Sequence, residues 1–241
     1  MADERIVLIT GGNSGIGYAS ARLFKDRNYR VVISGRDPAK VKSAAERIGC
    51  DFVIADLMDL NGLAALAGQF PEGLDVLVNN GGTAAFIPIE MHTPELFDQF
   101  VYTNVRAPLF LSQYLLPALE KRSGVIINVS SVIVESGKPN GSLYAVSKGA
   151  VDAMVRSLAL EFAPRGVRIN AVAPGPIETP IFDKMGAPKE LVAAKLAEQI
   201  EMTPLKRLGS PEEVAAVILA QSEATYVTGS IWKVDGGIDA Q

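Results

Sequence analysis

The chain contains one cysteine, Cys50, one histidine, His92, and one tryptophan, Trp232. A single cysteine excludes an internal disulfide framework and fits a reducing compartment. Beside an apolar run, Cys50 reads as a small core filler and not as a reactive thiol. A single histidine excludes a histidine metal cluster and a histidine-based triad, so His92, in Met91-His-Thr-Pro94 ahead of a helix, reads as a surface-loop residue and no metal site is expected. Trp232 reads as packing or subunit interface. Basic residues never run beyond two in a row and the net charge is −4, so neither nucleic acid nor an anionic membrane is expected as a partner. Long apolar runs are missing too. None approaches the ~20 residues of a membrane span. The four apolar residues Ile6–Ile9 are too few for a signal-peptide core. The expectation is a soluble cytoplasmic protein.

What the chain does have is apolar content: 48% hydrophobic residues against 21% charged over 241 positions, enough for a well-buried core. Short β-branched runs lie at Arg5–Ile9, Arg30–Ser34, Asp51–Ile54, Leu74–Val78, Gly124–Val129, Val167–Val172 and Ile231–Val234. Most lack polar alternation, as expected of strands covered on both faces. Between them the pattern predicts helices over Gly17–Asn28, Pro38–Ile48, Asn61–Gln69, Pro94–Lys121, Leu143–Ala163 and Pro211–Gln221, several opened by a capping residue or Pro. Strand–helix alternation throughout predicts an α/β fold, a doubly wound parallel sheet of about seven strands with helices on both faces, in one domain over 1–241. One segment, Thr179–Pro204, breaks the rhythm with a short helix at Pro188–Ile200, and is expected to be a lid over the carboxyl-end rim.

Two clusters carry chemistry. Thr10-Gly-Gly-Asn-Ser-Gly-Ile-Gly17 follows the first strand and opens a helix. Glycines Gly11, Gly15 and Gly17 suit a turn that admits a pyrophosphate to the helix amino terminus. Tyr18 and Ala19 follow Gly17 where a Walker loop has Lys and Ser/Thr, which argues against an ATPase or kinase. At the tip of the second strand, Gly35 leaves room and Arg36 follows, favouring a 2′-phosphate and so NADP(H) over NAD(H). Asp37, ahead of Pro38, reads as a helix cap.

In the second cluster, Tyr144 and Lys148 stand four apart on one helix face, and Ser131 closes the fifth strand thirteen residues earlier. An ammonium beside a phenol predicts a lowered tyrosine pKa and proton exchange nearer neutrality. Both clusters together predict hydride transfer between a nicotinamide cofactor and a carbonyl or alcohol.

Over nearly its full length the chain resembles the short-chain dehydrogenase/reductase family. The resemblance rests on the glycine segment, Ala55-Asp56-Leu57, Asn79-Asn-Gly-Gly82, Asn104, Ser131, Tyr144-x-x-x-Lys148, Pro174-Gly175, Val227-Thr-Gly229 and Val234-Asp-Gly-Gly237. It implies a Rossmann-type domain, an enzyme acting on CH–OH and C=O groups, and a homotetramer, for which Val151, Met154, Val155, Leu158 and the last strand offer faces. It implies Tyr144 as proton donor or acceptor, Lys148 on the nicotinamide ribose, Ser131 polarising the carbonyl, and Asn104 anchoring a water to Lys148. Cofactor contacts are implied at Gly11, Asn13, Ser14, Gly15, Ile16, Gly17, Arg36, Asp56, Leu57, Asn80, Gly81, Tyr144, Lys148, Pro174, Gly175, Ile177 and Thr179. Two departures stand out: Gly81 where the family has Ala, expected to loosen a packed position, and Arg106 and Pro108 after Asn104.

The leading expectation is therefore an NADP(H)-dependent oxidoreductase with a small-molecule carbonyl or alcohol substrate. A 3-oxoacyl-[acyl-carrier-protein] reductase is the alternative within that class, with Arg122 and Arg165 as candidate contacts for an acidic carrier. An NADP(H)-sensing scaffold without catalysis is the alternative outside it, and the intact Ser131, Tyr144 and Lys148 argue against it. Glu135 and Lys138, on the loop between Ser131 and Tyr144, are read as solvated charges.

Overall fold

Each β-branched run of the sequence becomes a strand of one parallel sheet. The structure, a computed structural model, describes residues 4–179 and 189–240, with side chains of 189–195 excepted. The strands are β1 (Ile6–Thr10), β2 (Arg30–Gly35), β3 (Asp51–Ile54), β4 (Val76–Asn79), β5 (Val125–Val129), β6 (Arg168–Pro174) and β7 (Ile231–Val234). The helices are α1 (Gly15–Asp26), α2 (Pro38–Ile48), α3 (Leu60–Ala67), α4 (Pro94–Val101), α5 (Ala107–Glu120), α6 (Ile133–Ser136), α7 (Ser142–Phe162), α8 (Lys189–Met202) and α9 (Pro211–Glu223). The sheet order is β3-β2-β1-β4-β5-β6-β7, every pair parallel. Of the segment Thr179–Pro204, residues 180–188 lie outside the described residues, and α8 covers 189–202.

Alternate residues of the central strands feed two apolar layers. Ile6, Leu8 and Ile126 join α3, α5 and α7 residues such as Leu63, Leu115 and Val155 on one face. Val7, Ile9 and Ile127 join Phe24, Val41 and Ile218, from α1, α2 and α9, on the other. Continuous apolar strands thus reflect burial on both sides. Val151 and Val155 belong to this core, so they are not free to form the subunit face expected of them.

Local chemistry sets the helix ends. Asp37 accepts from Lys40 N–H (3.1 Å), with Pro38 in the first turn of α2. At α9, Ser210 Oγ accepts from Glu213 N–H (3.2 Å) while Glu213 Oε2 accepts from Ser210 N–H (2.8 Å), a reciprocal cap.

The helix expected over Pro94–Lys121 is interrupted. Between α4 and α5 lies a π-helical turn, Tyr102–Arg106, in which Ala107 N–H bonds Tyr102 O five residues back. Pro108 has no N–H, so the Asn104 carbonyl cannot receive its α-helical bond, and the ladder changes register there. Arg106 braces the turn, donating to Met58 O (2.7 Å) and stacking on the Tyr102 ring at 3.9 Å.

Arg168, at the start of β6, ties the sheet to the end of α9. Its guanidinium donates to Ser222 O (2.6 Å), Ala224 O (3.0 Å), Val227 O (3.1 Å) and Gln221 O (3.4 Å). Gln221 O and Ser222 O belong to the last turn of α9, where helix carbonyls lack intrahelical partners, and Ala224 O and Val227 O follow it in the loop to β7. Arg168→Leu should cost about 3 kcal/mol. Thermal unfolding by circular dichroism should show the midpoint falling by roughly 6–12 °C; an unchanged midpoint would refute this role.

Candidate active site

Parallel strands point their carboxyl ends the same way, and a sheet whose order reverses leaves a crevice beyond that point. Here the reversal lies between β1 and β4. A cavity of about 560 Å³ opens there, lined by loops following β1, β2, β3, β4, β5 and β6.

At one end the glycine turn sits close to the β4 loop. Gly11 adopts φ +64°, a conformation that side chains disfavour. A Cβ on Gly17 would stand 2.4 Å from Gly11 O and 2.5 Å from Asn80 Nδ2, so glycine is required for the packing itself. Thr10 Oγ1 accepts from Asn80 N–H (3.1 Å) and Gly81 N–H (2.9 Å), and Asn80 Nδ2 returns bonds to Thr10 O (2.9 Å) and Gly11 O (3.2 Å). Gly81 does not loosen its surroundings as expected: Leu57 Cδ1 already stands 2.8 Å from where a Cβ would be. Ser14, the N-cap of α1, makes no side-chain cap bond, and Gly15 and Ile16 line the cavity. The first amides of α1 are therefore open to an anion, as a pyrophosphate requires.

Arg36 is exposed at the cavity edge, and no partner holds it among the described residues. Asp37 is occupied as the α2 cap; the Lys40 N–H bond holds its carboxyl below the usual range. Asp56 Oδ1 accepts from Met58 N–H (2.9 Å) on the same wall.

The opposite end holds the ionisable groups. Ser131 and Tyr144 both line this end, and Ser131 Oγ accepts from Ile133 N–H (3.3 Å). Lys148, 6% exposed, donates from Nζ to Val129 O at 2.7 Å and lies 5.8 Å from the Tyr144 ring centre. Burial pushes its ammonium down to about 8, with Asp152 acting the opposite way. Burial also pushes the Tyr144 phenol up, against the Ser131 hydrogen bond. The sequence predicts a phenol lowered by Lys148; with that ammonium turned to Val129 O, desolvation is the larger effect.

Asp152 extends this row by one more turn. It is 3% exposed, and its Oδ1 accepts from Ser130 Oγ at 2.5 Å. Burial raises its carboxyl, while the Ser130 bond and the charges of Arg156 and Lys148 lower it and that of Glu135 raises it. Ser130 stands between Val129, which holds Lys148, and Ser131, which holds Tyr144. The Asp152–Ser130 bond thus clamps the end of β5 against α7.

Nearly all residues expected at the site line this one cavity, from Gly11 through Thr179. Gly17 and Asn104 do not. Gly17 packs beneath the turn, and Asn104, 1% exposed, stands behind the wall. Asn104 Oδ1 accepts from Thr83 N–H (2.8 Å), and its Nδ2 donates to Thr83 O (2.9 Å) and Ser147 Oγ (2.9 Å). The expectation for Glu135 and Lys138 holds for one of them: Glu135 pairs with Lys233 (2.6 Å), whereas Lys138 lines the cavity. Cys50 is half-buried with its thiol pushed up to about 11 by burial, His92 Nε2 meets Ile87 O (3.0 Å), and Trp232 Nε1 donates to Ser230 Oγ (3.0 Å), all consistent with structural roles. Sequence reading missed Thr10, Ser130 and Asp152. The four-residue step from Lys148 to Asp152 was the available signal. Gln99 and Thr103, which also line the cavity, carry no sequence signal because tertiary packing alone brings them there, whereas Gln199 lies in the segment Thr179–Pro204 expected over the rim.

Lys148 should titrate near pH 8 in the dinucleotide-free chain, followed by heteronuclear NMR of its labelled side chain. Asp152→Asn keeps an acceptor for Ser130 but removes the charge, so it should move that titration lower. The folded value lies under the ordinary 10.5, and the unfolded chain keeps its proton through that window. The lysine's contribution to stability should therefore rise from about pH 8 to 10.5. Titration at the ordinary value, or none of this response to Asp152→Asn, would contradict the arrangement.

Comparison with known proteins agrees with this geometry. A family model described as Enoyl-(Acyl carrier protein) reductase matches residues 11–239. The L-fucose dehydrogenase of Mus musculus is 35% identical over 98% of this chain and 88% of its own length. The 3-oxoacyl-[acyl-carrier-protein] reductase FabG of Thermotoga maritima is also 35% identical, over 98% of both. A solved structure described as a short chain dehydrogenase/reductase family protein superimposes with a TM-score of 0.89 at 38% identity, covering both chains completely. Fold, site and relatives together establish that this chain belongs to the short-chain dehydrogenase/reductase family of oxidoreductases.

Proposed function

We propose that the chain interconverts a carbonyl compound and its alcohol with NADP(H), Tyr144 acting as acid and base. One observation carries this reading: the Ser131–Tyr144 pair and Lys148 open on the same cavity as the glycine turn of α1. The nicotinamide, when bound, supplies or accepts the hydride. The open amides of α1 hold the pyrophosphate, and Asp56 takes the adenine edge. Ser131 donates a hydrogen bond to the substrate oxygen, and Tyr144 gives it a proton in reduction and removes one in oxidation. Lys148 holds the ribose and stabilises the phenolate, and Asn104 supports the water beside it. Contacts around Pro174, Gly175, Ile177 and Thr179 orient the nicotinamide.

The choice of NADP(H) rests on Gly35, Arg36 and Asp37. The acid that would accept ribose hydroxyls is engaged in capping α2, and the neighbouring guanidinium is free for a phosphate. Exposed Leu109 on α5 and Val146 and Leu160 on α7 support a homotetramer in place of the valines of the core. With no charge run or apolar span, a cytoplasmic location fits.

A 3-oxoacyl-[acyl-carrier-protein] reductase is the second reading, favoured by the FabG relative. The arginines considered for carrier docking do not support it. Arg165 pairs with Glu120, and Arg122 is bound to Asp75 (3.4 Å), Glu72 O (3.2 Å) and Glu4 O (3.1 Å). Both precede the amino ends of β5 and β6, on the rim opposite the cavity.

Tyr144→Phe keeps the ring and removes the proton. Turnover, read as NADPH absorbance loss over a panel of ketones, keto sugars and 3-oxoacyl thioesters, should drop at least about 100-fold. Dinucleotide affinity should stay within about twofold by fluorescence titration. Retained turnover would overturn the mechanism. Arg36→Ala should weaken NADPH about 10- to 100-fold and leave NADH nearly unchanged; equal losses would make Arg36 structural.

A further inference from the structure

The loop between Ser131 and Tyr144 places a positive charge in the cavity by a rigid device. Lys138-Pro-Asn-Gly141 is a four-residue turn closed by Gly141 N–H to Lys138 O (3.1 Å). Pro139 fixes the second position and Asn140 takes φ +64° at the third, the combination of a type II turn. Asn140 O accepts from Ile87 N–H (2.7 Å), fastening the turn to the loop that follows β4. Lys138 is half-buried there.

Burial pushes the Lys138 ammonium down, and Glu198 of α8 acts the opposite way, yet no ion pair or hydrogen bond neutralises its side chain among the described residues. The turn itself packs on Ile133 and Phe86, which also line the cavity and offer the ammonium no counter-charge. A partly desolvated cation without a counter-charge is costly unless a ligand completes it. Lys148, the other lysine lining the cavity, is already held by Val129 O, and Arg36 lies beyond β2 at the opposite end, so among the described residues Lys138 is the cation left open near Ser131 and Tyr144.

We propose that the substrate is an anion: a small polar carbonyl compound, or its alcohol, whose carboxylate or phosphate is bound by Lys138. This rests on the oxidoreductase reading above. The reacting carbon then sits at Ser131 and Tyr144, with the anionic group held at the turn.

Calorimetric titration of the NADP+-loaded chain tests it with paired probes. These are gluconate against sorbitol, acetoacetate against its methyl ester, and glycerol 3-phosphate against glycerol. At least one anion should bind about tenfold or more tightly than its neutral partner. Which pair responds separates carboxylate from phosphate. Lys138→Gln should abolish that preference, leaving the neutral probes and NADP+ unchanged, and Lys138→Arg should restore it. For any anion turned over, Lys138→Gln should raise KM about 10- to 100-fold with kcat nearly constant. Equal binding of every pair, or a preference that survives Lys138→Gln, would overturn the proposal while leaving the oxidoreductase reading intact. Failure to bind either dinucleotide would instead overturn both.

Discussion

A lysine ammonium removed from water governs the arrangement of the active-site end. Lys148 needs a hydrogen-bond acceptor and a nearby negative charge to remain a cation there. Val129 O supplies the first from the end of β5, and Asp152 supplies the second from the next turn of α7. Both requirements draw α7 against the strand end, and the Asp152–Ser130 bond fixes how far along it sits. Ser131 then falls opposite Tyr144 with little freedom left. The meeting of Ser131 and Tyr144 is in this sense a by-product of housing the charge.

The other end of the cavity depends on close approach between backbones. Thr10 ends β1, and its hydroxyl receives two N–H groups from the loop that follows β4. That joins the neighbouring strands on either side of the reversal in sheet order, where the dinucleotide crevice forms. The glycine turn fits under this splice because Gly17 brings no side chain between Gly11 and Asn80. Ligand-binding loops are thus held by sheet topology at one point and by a few hydroxyl and amide bonds at another.

Much of this is legible in the amino acids, for identifiable reasons. α2 spans Pro38–Ile48 as expected because Asp37-Pro38 and Gly49 mark both of its ends. The strands are legible because β-branched runs bounded by turns have few alternatives. The break at Tyr102–Arg106 was harder to read, since apolar periodicity runs on through it and only Pro108 hints at the missing N–H. Lys138 shows the same limit. The turn signature Lys-Pro-Asn-Gly is plain in sequence, whereas the direction of its first side chain depends on the loop it packs against. Arg122 and Arg165 look available for a partner until the sheet direction places them on the far rim.

The contact between Leu57 and Gly81 couples two loops through shared volume. The two positions lie on separate loops, yet the Leu57 methyl occupies the room that a side chain at 81 would need. Ile33 and Gly12 share volume in the same manner, with Ile33 Cβ 2.6 Å from the site of a Gly12 Cβ. Enlarging one member of either pair therefore requires the other to give way. An alanine at position 81 would oblige the Leu57 side chain to turn aside, so the two positions are coupled through that one methyl. The crevice floor is thus packed as matched pairs, in which the size of one residue sets the room left to the other.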